Sequence, residues 1–186
     1  ETFFTKEPQT LEWIKKFNRD SVFWDVGANI GLYSCYAAKL VDAKVYSFEP
    51  SFFNLELLAK NINLNKLSNA IIIVPVALND RDGYEDFTMS STDYGAALST
   101  YKLDTGHDGN KLNKIFSYKT TGFRGDSLIK ISNFDKPNYL KIDVDGIDDL
   151  VLQGIEFNLD QCHSILIEAN KNFQDQFISI QNFMKK

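Results

Sequence analysis

A segment that contains one acid and two glycines is the most informative part of the chain. Residues 25–31 read Asp-Val-Gly-Ala-Asn-Ile-Gly and follow an apolar run over residues 21–26 that predicts a buried strand. Ligands of open α/β sheets bind where such strands end. Gly27 and Gly31 permit a tight turn and a close approach of the backbone to a ligand. Together with Asp25 and Asn29 they form a candidate binding loop, and the alternative is a glycine turn that holds no ligand.

The acid that opens this loop restricts the kind of ligand. Asp25 would repel a pyrophosphate but could attract the cationic amino-acid end of a small molecule. The glycine order also differs from the dinucleotide fingerprint, which has a third glycine at another spacing. The loop therefore favours a ligand with an amino-acid end over a dinucleotide.

A second acid ends the next predicted strand, residues 44–48. Glu49 stands 18 residues after Gly31 and is followed by Pro50. A carboxylate at this position can accept hydrogen bonds from both ribose hydroxyls of a nucleoside. The alternative is an ordinary exposed acid before a proline. The two motifs together predict a site for S-adenosylmethionine (SAM), with the methionine part on the loop and the ribose on Glu49.

The end of the third predicted strand, residues 70–78, would flank the adenine of SAM. Ala77 and Leu78 lie at this end, and Asp80 follows two residues later. Asp80 could meet the adenine amino group, and the alternative is a solvated carboxylate in a turn.

Charged residues alternate along a fourth predicted strand, residues 139–144. Lys141, Asp143 and Asp145 fall on one side of that strand because side chains of a strand alternate between its faces. Asp143 would lie beside the SAM sulfonium, where it could accept a hydroxyl proton or hold the hydroxyl in line with the methyl group. Lys141 would pair with Asp143 and lower its pKa. The alternative is a buried pair that only organises the strand end.

Two additional roles are open near this strand. Asp143, Glu168 and Asn170 could offer oxygen ligands to Mg²⁺, although Glu168 could equally cap a helix or pair with a cation. His107 could act as a base if the polar segment around it folds over the site, and the alternative is a solvated histidine in a loop. The main hypothesis contains no metal.

The elements that position these residues alternate between strand and helix. Over residues 21–78 this order predicts parallel strands with right-handed crossovers, which form half of a doubly wound α/β sheet. Polar residues at about 81–125 predict an insertion with two short antiparallel strands, at 83–90 and 95–103. We expect one domain over residues 1–186, and both ends of the chain could be cut short. The remaining predicted elements are helices at about 10–17, 31–41, 52–64, 147–153 and 173–184, and a last strand at 164–168.

Composition narrows the range of partners. The chain has 20 Lys and Arg against 25 Asp and Glu, so its net charge of −5 argues against a nucleic-acid partner. No apolar stretch approaches the ~20 residues that a membrane span needs. Cys35 and Cys162 form no disulfide framework, which favours a reducing compartment and a cytoplasmic location. Oligomeric state does not follow from this composition.

The motifs resemble, in order, those of the FkbM-family methyltransferases, and the match runs from about Ser21 to Glu168. The resemblance implies a class I SAM-dependent (Rossmann-like) fold and, usually, O-methylation of a hydroxyl on a sugar or another small metabolite. Family members typically carry glutamate before the glycine of the last motif, where this chain has Asp145. The matching segments are residues 25–34 (DVGANIGLYS), 48–50 (FEP), 61–65 (NINLN), 77–78, 126–129 and 141–146 (KIDVDG).

Other functions fit less well. A nicotinamide dehydrogenase would share Glu49 but needs another glycine spacing. Enzymes that methylate DNA or RNA amino groups usually carry an Asn/Asp-Pro-Pro-aromatic loop after the fourth strand, and this chain has Asp-Val-Asp-Gly there. A SAM-binding scaffold without catalysis stays as the alternative. We expect an O-methyltransferase that acts on a small-molecule or carbohydrate acceptor.

Overall fold

The fold is known from a computed structural model that describes residues 3–185. Strands and helices alternate along most of the chain. In chain order the strands are β1 (Val22–Val26), β2 (Lys44–Phe48), β3 (Ile71–Val74), β4 (Ala77–Leu78), β5 (Gly83–Met89), β6 (Ser99–Tyr101), β7 (Phe116–Phe123), β8 (Tyr139–Ile142) and β9 (Ser164–Ile167). The helices are α1 (Phe3–Lys6), α2 (Pro8–Ile14), α3 (Leu32–Val41), α4 (Phe52–Leu64), α5 (Gly125–Ser132), α6 (Asp148–Gly154) and α7 (Gln174–Phe183), with a 3-10 helix at Glu156–Asn158.

Five of the strands form a parallel sheet in the order β3-β2-β1-β8-β9. The chain winds outward from β1 to β3 on one side and continues from β8 to β9 on the other. The carboxyl ends of β1 and β8 therefore lie together at the point where the winding reverses, which is the usual ligand site of such sheets. The predicted doubly wound α/β sheet is confirmed.

Apolar side chains leave both faces of this sheet. One cluster joins Phe23 and Val45 to α3 and α4 through buried residues such as Leu58. A second cluster joins Trp24 and Leu140 to α5, α6 and α7. Because helices cover both faces, the strands read as nearly continuous apolar runs, which is why the sequence reveals them.

The third predicted strand, residues 70–78, is wrong as a single strand. Pairing with β2 ends at Val74, because Pro75 has no N–H to donate. The N–H of Val76 turns back and donates to the carbonyl oxygen of Val74 at 2.9 Å. The chain resumes as β4, which pairs with β7 in a different sheet.

The segment predicted as a polar insertion forms most of a second sheet, ordered β4-β7-β5-β6. Strand β5 pairs antiparallel with both β6 and β7. The sequence analysis missed β7 because most of its side chains are half-buried or exposed, so it carries no apolar run. It also missed the short helix α5, which follows directly on β7.

The helices are short. The longest, α4, has 13 residues. Near the N-terminus, α2 spans Pro8–Ile14, in which Leu11 and Ile14 are buried, and Ile14 joins the cluster that contains Phe23 and Val45. Within residues 3–185, no helix is both long enough and apolar enough to cross a membrane.

We predict that Leu140→Ala destabilises the fold by about 2–5 kcal/mol, because it leaves a cavity in a fully buried position of a central strand. Urea denaturation measures the free energy of unfolding. Leu64→Ala is the matched control, because Leu64 is 77% exposed at the end of α4 and its removal should cost no more than about 0.5 kcal/mol. Equal losses in the two variants would contradict the core assignment.

Candidate active site

A cavity of about 380 Å³ lies at the carboxyl ends of β1, β2 and β8. Its wall contains most of the residues that the sequence analysis selected for SAM and for catalysis. Asp25, Gly31, Asp80, His107 and Asn170 are not part of its lining. The selected residues that line it are Gly27, Asn29, Glu49, Pro50, Ala77, Leu78, Lys141, Asp143 and Glu168.

The loop after β1 is held tightly against its neighbours. The N–H groups of Gly27 and Ala28 both donate to the carbonyl oxygen of Phe48 at 3.0 Å. Gly27 has a φ of +80°, and a Cβ atom there would lie 1.9 Å from the carbonyl oxygen of Asp143. Only glycine fits, since this conformation and this spacing exclude a side chain. The loop therefore brings the ends of β1, β2 and β8 together.

Gly31, the other loop glycine, serves packing. It has a φ of +81° and precedes α3. A Cβ atom on Gly31 would lie 2.3 Å from a methyl carbon of Leu58 on α4. Gly31 thus allows α4 to pack closely against the start of α3.

Glu49 lies in the wall of the cavity with both carboxylate oxygens fixed. The N–H of Asn29 donates to Oε2 and the N–H of Ser51 donates to Oε1, each at 2.8 Å. The residue is only 5% exposed. Burial raises the pKa of Glu49 to about 7, and the two N–H donors oppose this rise by favouring the charged form. Each oxygen keeps a lone pair that can accept a ligand hydroxyl.

Asp25 faces the protein interior. Ser34 Oγ donates to its Oδ2 at 2.6 Å, and Ser47 Oγ donates to Ser34 Oγ at 2.7 Å. Its Oδ1 has no hydrogen-bond donor and lies 4.0 Å from Lys141 Nζ. Burial raises the pKa of Asp25 above its ordinary value. In this position the carboxyl group joins α3 to the sheet and lies beside Lys141.

Lys141 and Asp143 form a close ion pair at the end of β8. Lys141 Nζ donates to Asp143 Oδ2 at 2.7 Å, and the lysine is almost fully buried. Burial would raise the pKa of Asp143, but the ammonium group of Lys141 holds it below its ordinary value. Burial would likewise lower the pKa of Lys141, but Asp143 and Asp25 raise it. Both groups are therefore charged at neutral pH.

Glu168 lies beside this pair. Its N–H donates to the carbonyl oxygen of Ile142 at 3.0 Å, which extends the pairing of β9 with β8 by one residue. Its carboxyl group lies close to that of Asp143. Burial and the negative charge of Asp143 raise the pKa of Glu168 to about 7. The end of the cavity near Asp143 thus holds a carboxyl group that can be protonated or charged near neutral pH.

Asp80 and Asn170 have partners outside the cavity, and His107 lies against the turn at Gly146. Asp80 pairs with Arg81 and Lys102. Asn170 Oδ1 accepts a hydrogen bond from the N–H of Asn172 at 3.0 Å. His107 follows Gly106, whose carbonyl oxygen would lie 2.6 Å from a Cβ atom on Gly146. Among residues 3–185, no three His, Cys, Asp or Glu side chains are grouped as metal ligands.

The structure adds Asn54 and Asp145 to the site, and the sequence analysis assigned a role to neither. Asn54 is 3% exposed on the first turn of α4 and lines the cavity. Asp145 also lines it, and its Oδ2 accepts hydrogen bonds from the N–H groups of Leu98 and Ser99. Asn54 could have been found from the sequence, because it is a polar residue on the face of α4 that is otherwise apolar and buried. The partners of Asp145 lie more than forty residues away in sequence.

Beyond Asp143 the cavity reaches the N-terminal helices and the first turn of α3. The lining there includes Lys6, Glu7 and Tyr33. Lys141 Nζ lies 5.3 Å from the centre of the Tyr33 ring. This end offers an ammonium, a carboxyl and a phenol group to a second ligand.

A family model and a curated relative both match this chain, and both are methyltransferases. A family model described as "Methyltransferase FkbM domain" matches residues 25–186. A curated relative, hexuronic acid methyltransferase AglP of Haloferax volcanii, is 29% identical over 157 residues, which are 84% of this chain and 59% of the relative. The chain thus spans less than two thirds of that relative's length.

Solved structures show the same fold. A methyltransferase FkbM from Methylobacillus flagellatus KT matches with a TM-score of 0.63 and 15% identity, over 91% of this chain and 38% of that one. A precorrin-6y C5,15-methyltransferase from Geobacter metallireducens GS-15 matches with a TM-score of 0.57 and 13% identity, over 96% of this chain and 68% of that one. The predicted class I methyltransferase fold is confirmed.

We predict that Glu49→Gln changes how stability depends on pH. The folded-state pKa of Glu49, about 7, lies above its ordinary value of 4.5, so the folded state binds more protons between these values and stability falls as pH rises through them. The substitution removes this loss. Relative to the unchanged protein, the free energy of unfolding should rise by about 3 kcal/mol between pH 4.5 and 7, measured by urea denaturation.

The control for this experiment is Glu56→Gln, because Glu56 lies on the exposed face of α4 beside Lys60. Hydrogen bonds with Lys60 and Tyr94 lower the pKa of Glu56, so the free energy of unfolding of this variant should not rise relative to that of the unchanged protein over the same pH range. A Glu49→Gln difference that is the same at both ends of the range would show that the Glu49 carboxylate is not destabilised by burial.

Proposed function

The chain belongs to the FkbM family of methyltransferases, and we propose that it transfers the methyl group of SAM to an oxygen atom of a sugar or another small metabolite. One observation carries the proposal: Glu49 and the Lys141–Asp143 pair line the same cavity. A carboxylate suited to a ribose thus shares a space with a carboxylate suited to an acceptor hydroxyl.

The polar and apolar groups that line the cavity are suited to SAM. Glu49 can accept both ribose hydroxyls, because the backbone N–H groups at its two oxygens already fix their orientation. Ala77 and Leu78, with Phe87 behind them, give an apolar wall for the adenine. The backbone at Gly27 and Asn29 would hold the methionine part. Asp25 would support this loop from the interior.

The chain's own residues would position the acceptor and receive its proton. SAM supplies a methyl group that a sulfonium already activates. Lys141 donates to Oδ2 of Asp143, and an acceptor hydroxyl would donate to Oδ1. Asp143, kept charged by Lys141, would hold that hydroxyl in line and accept its proton. Such positioning contributes up to about 7–11 kcal/mol in favourable cases.

Three observations support a carbohydrate or small-molecule acceptor. A relative is named for a hexuronic acid. The far end of the cavity presents Lys6, Glu7 and Tyr33, which are side chains that can hydrogen-bond to sugar hydroxyls and carboxylates. The net charge of −5 disfavours nucleic acid as the acceptor.

The free thiols of Cys35 and Cys162 support a cytoplasmic site of action.

Isothermal titration with S-adenosylhomocysteine (SAH), the demethylated product, tests the cofactor assignment. We expect micromolar binding, about −8 kcal/mol. Glu49→Ala should weaken it by about 100-fold or more, because two hydrogen bonds to a charged group are lost and each is worth about 1.5–3 kcal/mol. Glu12→Ala, at an exposed ion pair with Lys15 on α2, is the control and should bind as tightly as the unchanged protein. Absence of SAH binding by the unchanged protein would refute the proposal.

Turnover is tested with methyl-labelled SAM and a panel of uronic acid and neutral glycosides, with products identified by mass spectrometry. We predict that Asp143→Asn lowers kcat for the best acceptor by about 100-fold or more, because it removes a proton acceptor, and leaves SAH affinity nearly unchanged. Asp160→Asn, at an exposed ion pair with Lys136, is the control. SAH binding without any methylated product would favour the scaffold alternative.

A further inference from the structure

Part of the connection between β5 and β6 covers one side of the cavity. Residues 94–99, here called the strap, run from the β5–β6 connection into the first residue of β6. Gly95, Ala96, Ala97 and Ser99 of the strap line the cavity. The two ends of the strap are held by side chains from different parts of the site.

The first end of the strap is attached to the residues around Glu49. Asn54 Oδ1 accepts from the N–H of Gly95 at 3.0 Å, and Asn54 Nδ2 donates to the carbonyl oxygen of Ala96 at 3.2 Å. Asn29 Nδ2 also donates to the carbonyl oxygen of Ala96, at 3.2 Å. Because the N–H of Asn29 bonds to Glu49, this end of the strap is tied to the carboxylate that would hold the ribose.

The second end is attached close to Asp143. Asp145 Oδ2 accepts from the N–H of Leu98 at 2.7 Å and from the N–H of Ser99 at 3.2 Å. Such bonds to a carboxylate are stronger than those between neutral groups. A single side chain, two residues beyond Asp143, thus holds two consecutive N–H groups of the strap.

Backbone conformation shows that this attachment is specific. Leu98 has a φ of 61° and Asp145 a φ of 54°. Leucine rarely adopts this left-handed conformation and persists there only where its surroundings impose it. Aspartate adopts it more readily than most residues do, and its short side chain ends at the strap. This explains in physical terms why Asp145 suits a position where the family resemblance leads one to expect glutamate.

We propose that Asp145 is a positioning residue that holds the strap closed over the cofactor end of the cavity. The inference rests on the proposed function, since the strap would confine a nucleoside held by Glu49. When both ends of the strap are attached, Gly95 and Ala96 stay next to Asn29 in the loop after β1. Release of bound SAH is then slow. Loss of the Asp145 carboxylate frees the N–H groups of Leu98 and Ser99, while Ser90 still donates to the carbonyl oxygen of Leu98. The strap therefore loosens toward Gly95 and Ala96.

The release rate of SAH tests this role. Asp145→Ala should speed release by about tenfold, equivalent to about 1.4 kcal/mol, the size of one hydrogen bond to a charged group. Asp145→Asn keeps a carbonyl acceptor and tolerates the left-handed conformation, so it should release SAH at nearly the unchanged rate. Asp93→Ala removes a carboxylate of the same loop that accepts from Ser91 Oγ, and it should also behave as the unchanged protein. Equal melting temperatures would confirm that the variants are folded.

Hydrogen exchange without ligand gives a second measurement. Asp145→Ala should accelerate exchange of the Gly95 N–H, at the opposite end of the strap, whereas Asp145→Asn should not. Unchanged exchange at Gly95, or unchanged SAH release, would overturn the inference while the proposed function stands. If the unchanged protein does not bind SAH, the proposed function and the inference both fail.

Discussion

Gly27 and Asp143 lie so close together that the carbonyl oxygen of Asp143 occupies the space that a side chain on Gly27 would need. The N–H of Asp143 donates to the carbonyl oxygen of Val26 at 3.1 Å, so β1 and β8 remain paired up to the edge of the sheet. Because of this contact, the loop after β1 and the acid after β8 open into one cavity. Glu49 joins them through the carbonyl oxygen of Phe48, which accepts both N–H groups of the loop.

Charge in this site is balanced by very few groups. Lys141 lies between Asp25 and Asp143, and one ammonium group cannot neutralise both carboxylates and Glu168 as well. Burial raises the pKa of each acid, and only at Asp143, which Lys141 contacts directly, does the ammonium group outweigh burial. Asp143, in direct contact, stays charged, whereas the pKa values of Asp25 and Glu168 rise. A single buried lysine thus sets which carboxyl group bears the negative charge where the acceptor would react.

The sequence predicted those parts of the site that depend on local pattern. The glycines of the loop, Glu49 at a strand end and the alternation of Lys141 with Asp143 all follow from residue type and period. The strap did not follow, because its hydrogen bonds join Asn54 and Asp145 to backbone groups about forty or more residues away. Asp25 shows a related difficulty: the pattern places it at the right strand end, but only the contact with Ser34 shows which way it faces.

The pairing of β4 with β7 has an evolutionary consequence. Ala77 lies opposite Gly122 and Leu78 opposite Phe123, so the long excursion between these two strands leaves and re-enters the fold at neighbouring points. A segment whose ends already meet can lengthen, shorten or be replaced at little entropic cost to its host. The excursion includes the strap, whereas Glu49 and Asp143 belong to the parallel sheet. The roof over the Glu49 end of the cavity can therefore change in length and composition while Glu49 and Asp143 keep their places at the ends of the parallel strands.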